Sequence, residues 1–187
     1  MFTDDERHTL LRIARHAIGH GLGLIREEPV LPVRGALGEP AAAFVTLHLD
    51  GELRGCIGYV EALEPLAATV SEVAVRAAFH DPRFPPLTEG EFGKVVIEVS
   101  VLSPLQLLRS EEEIEIGRDG LVLELHRARG LLLPQVATEQ GWDRIRFLEF
   151  TAMKAGLPPS AWKDPEAHVY TFSAEVFAES SMEGAHP

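Results

Sequence analysis

The sequence predicts an α+β fold in which a strand–strand–helix–strand unit occurs twice, over residues 43–102 and again over 114–177. Two observations carry this. Asp50-Gly51, set between two β-rich runs, is the strongest short hairpin signal in the chain, because a type I′ turn needs positive φ at both central residues. The succession then returns. Arg118-Asp119-Gly120-Leu121 echoes the first Asp-Gly turn, Gly130-Leu131-Leu132-Leu133-Pro134 stands where Gly55-Cys56-Ile57-Gly58 stood, and a helix and a closing strand follow.

Ahead of the repeat, Thr3-Asp4-Asp5-Glu6 reads as a capping box. Leu10, Ile13, Ala14, Ala17 and Ile18 recur at helical spacing, so an amphipathic helix runs to the glycines at 19–23. Residues 28–40, rich in proline and glycine, form an ordered connector. Residues 43–49 then open the hairpin. With a two-residue loop, Leu49 pairs with Glu52, Leu47 with Arg54 and Val45 with Cys56, which buries the thiol on the Val45–Leu47 face. A bulge at Gly55 reverses that register.

Pro65 opens a second helix, striped by Leu66, Val70, Val73, Ala74 and Ala77. It stops by Asp81, because the residue before Pro82 is driven from helical angles. Asp81-Pro82-Arg83-Phe84-Pro85-Pro86-Leu87 follows as a stiff, largely extended segment, either a connector with Phe84 in the core or a wall with Arg83 aimed at an anion. Residues 95–102 read as a strand covered on both faces, 142–155 as a helix closed by Gly156, and 169–176 as the last strand. Glu111-Glu112-Glu113 after Ser110 reads as a solvated turn or a strand entry, and 180–187 as a frayed tail.

The bulk numbers bound the function. At 187 residues, 45% apolar and 25% charged, the chain has the make-up of a soluble globular protein. A net charge of -12 argues against nucleic acid and anionic membranes, both of which need a basic surface. Arg7, Arg12, Arg15 and Arg26 are the exception, a local basic cluster. One cysteine excludes an intramolecular disulfide and fits a reducing compartment. With no apolar leader and no apolar run near the ~20 residues of a membrane span, the expected location is cytoplasmic.

Cys56 is the most chemically suggestive residue: a lone thiol between Gly55 and Gly58, with Arg54 two positions upstream. Glu98 shares a strand face with Ser100 and needs a partner if buried, which makes it the candidate acid or base; the alternative is a surface position. His48 and His80 are further proton carriers. His16 and His20 lie one helical turn apart, but no third ligand accompanies them and no metal is expected.

Four stretches in order carry a resemblance: Leu53-Arg54-Gly55-Cys56-Ile57-Gly58, Asp81-Pro82-Arg83-Phe84-Pro85-Pro86-Leu87, Glu98-Val99-Ser100-Val101-Leu102, and Leu132-Leu133-Pro134-Gln135-Val136-Ala137 with Gly141-Trp142. Together they resemble the AMMECR family over residues 5–179, read as a single domain. The resemblance implies two subdomains and a curved, barrel-like, mostly antiparallel sheet flanked by helices. It implies no reaction and no cofactor, since the family's biochemical role is unsettled. It does imply association with a Memo-like or radical-SAM protein, and so a redox or modification pathway.

Two functions compete. An enzyme would use Cys56 as nucleophile or redox centre and Glu98 as its proton carrier, with Arg54, Gly55, Gly58, Asp81, Arg83 and Ser100 binding the ligand in a cleft. A non-catalytic scaffold would bury Cys56 as a small hydrophobe and present Arg54 and Arg83 to a partner. Leu131, at the position matching Cys56, indicates that the fold accepts an aliphatic residue there.

Overall fold

Thr3 and Glu6 close the capping box at the head of α1 (Asp4–Gly21) in the computed structural model, which describes residues 1–179. The tail at 180–187 lies outside the described residues. The chain forms two compact units, Met1–Leu102 with the described residues 175–179, and Ser103–Ala174.

In the first unit, β1 (Ala43–Leu49) lies between β2 (Glu52–Tyr59) and β3 (Val96–Leu102), antiparallel to both. Asp50 (φ 53°) and Gly51 (φ 84°) make the predicted tight turn. Alternation along β1 buries Ala43, Val45 and Leu47 against α1 and α2 (Leu66–Phe79), while Phe44, Thr46 and His48 take the far face. Each fully buried aliphatic side chain on the inner face contributes ~1.5–3 kcal/mol. Pro65 caps α2, and the helix ends one residue short of His80, in line with the block at Pro82.

Two expectations change here. The segment after α2 is not extended: Phe84 N–H bonds Asp81 C=O at 3.1 Å, so residues 81–84 fold back as a turn, and Phe84 is half-buried outside the core. Two of the four clustered arginines near the N-terminus, Arg7 and Arg15, are held in ion pairs, while Arg12 and Arg26 are exposed. Arg7 pairs with Asp4 and Glu175, and Arg15 with Glu179 and two backbone carbonyls. A short helix, α3 (Glu89–Phe92), was not expected; its Thr88–Glu91 capping box is legible in the sequence.

The second unit contains β4 (Gln106–Leu107), β5 (Asp119–Leu125), β6 (Ala128–Leu132), α4 (Pro134–Glu139), α5 (Arg144–Lys154) and β7 (His168–Ala178). Here β5 is central, antiparallel to β6 and β7, and Leu121 and Leu123 pack on Phe147, Leu148 and Ala152. The last residues of β7, 175–178, belong to the first unit. The turn is displaced from its expected place. Asp119-Gly120 begins β5 as buried backbone, and the hairpin reverses at His126-Arg127, with His126 at φ 55°. The glutamates at 111–113 form one 3-10 turn capped by Ser110.

Candidate functional site

The hairpin register decides where the thiol points. Leu49 pairs with Glu52 as expected, but the pairing shifts between Leu47 and His48: His48 faces Leu53 and Leu47 faces Gly55, leaving Arg54 as the extra residue of a bulge. Cys56 therefore pairs with Thr46, not Val45. The buried thiol expected from an unbroken ladder is corrected. Cys56 stands half-buried on the far face, away from the Val45–Leu47 core.

Across that face, Cys56, Thr46 and Glu98 form one row over three strands, because Thr46 pairs with both of the others. The row spans roughly 10 Å between its outer Cα atoms, two inter-strand spacings. Phe44 similarly pairs with Gly58 and Ser100. The Thr46 hydroxyl donates to Cys56 Sγ at 3.3 Å. The Glu98 carboxylate is half-buried and makes no hydrogen bond or ion pair among the described residues. Thr46 was missed in the sequence, although its alternation with Val45 and Leu47 marks it as facing away from the core.

β2 is an edge strand of its unit, and its open backbone at Cys56 is capped from the following turn. The Asp81 carboxylate accepts the Cys56 N–H at 2.8 Å, and Arg83 Nη2 donates to the Cys56 carbonyl at 3.2 Å. Arg83 also grips Asp81 through Nε at 2.9 Å and Nη2 at 2.7 Å, while its backbone N–H donates at 3.1 Å. Asp81 is 2% exposed, and the Arg83 hydrogen bonds, with those from two backbone N–H groups, hold its carboxyl far below the ordinary range. Because the Cys56 N–H and C=O point to this edge, Thr46 and Cys56 are a non-hydrogen-bonded pair, the type that brings side chains closest.

Arg54 takes another direction. Its buried guanidinium donates to Glu91 (2.9 and 3.2 Å) and to the carbonyls of Pro85 (2.9 Å) and Pro86 (3.3 Å). Those bonds, with the Thr88 N–H and hydroxyl, lower the Glu91 carboxyl to about 2. Gly55 lies against α2: a Cβ there would stand 2.3 Å from the Ala77 carbonyl oxygen. Gly58 lies under the Phe44 ring, where a Cβ would come within 2.2 Å of the ring carbons. The structure thus gathers Cys56, Gly58, Glu98 and Ser100 on one face, with Asp81 and Arg83 at its edge. It turns Arg54 and Gly55 to packing tasks.

His48 is half-buried on the same far face, two residues along β1 from Thr46, while the other candidates lie apart: His80 is exposed at the end of α2. His16 and His20 bond the carbonyls of Glu27 and Ile25 in the loop after α1, at 2.8 and 3.1 Å. No helix among the described residues is long and apolar enough to cross a membrane.

Comparison with known proteins places the chain in a family. The AMMECR1 family model matches residues 11–177. Protein MK0488 of Methanopyrus kandleri is 44% identical over 191 residues, covering 97% of this chain and 92% of its own. A protein of Methanothermobacter thermautotrophicus is 47% identical over 184 residues, covering 94% and 95%. The crystal structure of the uncharacterised protein PH0010 from Pyrococcus horikoshii matches with a TM-score of 0.87 at 40% identity, covering 95% of this chain and 93% of that one. The chain belongs to the AMMECR1 family.

Proposed function

We propose that the protein is a cysteine-dependent enzyme whose site is the Cys56–Thr46–Glu98 row. The observation that carries this is a residue left over by packing. Within the hexapeptide Arg54 is a buried staple, Gly55 admits the α2 backbone and Gly58 admits the Phe44 ring, but nothing in the packing requires sulfur at Cys56. Leu131 takes the matching place in the second hairpin, so an aliphatic residue would serve the fold equally well.

The chemistry follows from the row. Cys56 Sγ loses its proton to the Glu98 carboxylate, through a water across the gap, as Sγ bonds to an electrophilic carbon of the substrate. The Thr46 hydroxyl stabilises the sulfur's negative charge, and Arg83, whose side chain is 55% exposed, faces the heteroatom on which charge collects. Glu98 returns the proton to the leaving group as its bond to that carbon breaks, and attack on the same carbon by water or a second acceptor, whose proton passes to sulfur, then breaks the Sγ–C bond and frees Cys56. Within the same proposal, a Memo-like or radical-SAM partner would supply or consume the group carried on sulfur.

A second reading, a non-catalytic binding module, draws on the full engagement of Arg54 and Asp81 in structural bonds. Alkylation of native protein separates the two, since a single cysteine needs no assignment. Labelling of native Cys56 faster than in the unfolded chain supports the enzyme. Protection until unfolding overturns it.

A further inference from the structure

No strand pairs with the outer edge of β2 among the described residues. Along that edge the backbone groups point outward at every second residue. Cys56 is one such residue, and both its groups are taken: Asp81 accepts its N–H and Arg83 donates to its carbonyl. Gly58 is the next. The ladder runs without a shift from the Thr46–Cys56 pair to the Phe44–Gly58 pair, so the Gly58 N–H and C=O face the same way as those of Cys56. No described residue bonds to either of them. Space opens at the strand end, where a groove of about 350 Å³ lined by Tyr59, Val60, Leu63 and Thr69 begins one residue further on.

We propose that Gly58 is the main-chain anchor for a peptide substrate, which pairs with it as one further antiparallel residue and carries its next carbonyls to Cys56. A donor and an acceptor side by side in the sheet plane match a peptide residue, which offers one of each. An anion fits less well: the Gly58 carbonyl would face it, and the net charge of -12 repels it. Antiparallel pairing sets the direction. β2 runs from Cys56 to Gly58, so the added chain runs from Gly58 toward Cys56. The carbonyl one or two residues beyond the paired one then comes level with the thiol, roughly 7 Å along the strand. The Asp81–Arg83 cap closes the edge at Cys56, so the pairing ends there, and Arg83 flanks the arriving carbonyl. Alternation turns the side chain before the paired residue to the face that Tyr59 takes, toward the groove.

This inference rests on the cysteine chemistry proposed above and names its substrate. Sγ bonds the peptide carbonyl carbon, and the C–N bond breaks as the amine takes the proton from Glu98. Water then releases the acyl group from sulfur as the carboxylic acid, leaving its other proton on the thiol.

The test changes the ligand, because a Cβ at Gly58 would meet the Phe44 ring carbons at 2.2 Å. The full chain is titrated by NMR with acetyl-Ala-Leu-Ala-amide, and with the same peptide N-methylated at each residue in turn. The expected result is a saturable downfield shift of the Gly58 amide proton, with binding weakened about tenfold by the methyl group at one residue. In parallel, native Cys56 is labelled with acetyl-Ala-Leu-Ala chloromethyl ketone and with chloroacetone. Relative to a free thiol the peptide reagent should gain about tenfold, and the same N-methyl group should remove that gain. A Gly58 amide that does not shift, or binding indifferent to every methyl group, overturns the proposal whatever the reactivity of Cys56. Equal gains for the two reagents overturn the substrate role. A Gly58 amide that shifts while Cys56 stays protected until unfolding sustains the peptide edge and overturns the enzyme reading instead.

Discussion

The two hairpins follow one plan up to a single residue. In each, the first strand is central, paired with its hairpin partner and with the strand that closes the unit. Val45 and Leu47 in one and Leu121 and Leu123 in the other fill the helix-facing core. Each has a glycine pressed on helix backbone: Gly55 against Ala77, and Gly130 against Thr151 and Ala155. The differences lie on the far face and at the bulge. The row Cys56–Thr46–Glu98 of the first unit is matched in register by Leu131–Val122–Tyr170 of the second, and Arg54 has no counterpart, because the β5–β6 ladder runs without a shift. Packing dictates the inner face of both units; on the far face the matching row holds a thiol, a hydroxyl and a carboxylate in the first unit, and two aliphatic side chains and a tyrosine, with Val122 fully buried, in the second.

The sharpest way to break this comparison is at the shared glycines. Gly55→Ala and Gly130→Ala each force a Cβ to within 2.3–2.5 Å of helix backbone, and each should cost about 3 kcal/mol in urea unfolding. A tolerated alanine in either unit would mean that the two do not share the device. Arg54→Met tests what is unshared. It leaves Glu91 and two carbonyls without their donor, and a loss between about 2 and 3 kcal/mol is expected. Deleting Arg54 should remove the same staple yet keep Cys56 opposite Thr46, since the second hairpin keeps that register with no extra residue.

Acid should act through the same pair. Glu91 has a folded-state value of about 2, against ~4.3 unfolded, so its contribution is complete above the unfolded value. It is lost as pH falls through about 2 and, with a quarter of the side chain exposed, amounts to about 2 kcal/mol. Asp81, lowered chiefly by Arg83, has the same sign. Glu91→Gln should flatten the acid limb of stability against pH, and an unchanged limb would remove the Arg54–Glu91 pair from the account. The smallest effect is expected at the thiol. Cys56→Leu, which copies the second unit, and Cys56→Ser should each shift stability by less than about 1 kcal/mol while abolishing alkylation. A large loss on either would make Cys56 a packing residue.

What was legible from sequence was local. The Thr3–Glu6 box, the Asp50-Gly51 turn, the end of α2 ahead of Pro82 and the positive φ of Gly156 all lie within a few consecutive residues, where backbone sterics and neighbouring side chains decide the outcome. The second turn was misplaced because Asp119-Gly120 carries the same dipeptide as the first turn, and the strand that pairs with β7 claims it instead.

By itself the sequence determined the main helices and strands of both repeats, their order, the family resemblance and the set of unusual residues around Cys56, but not the short elements β4, α3 and α4. The tertiary structure decided which of those residues meet. Arg54 could either shift the whole β2 ladder or bulge out of it, and the choice rests on partners more than thirty residues away, the Pro85 carbonyl and Glu91. Burying a guanidinium requires several acceptors at once, and only the folded loop at 85–91 assembles them. That long-range bond set accompanies the register in which the thiol faces Thr46 and Glu98 rather than the core.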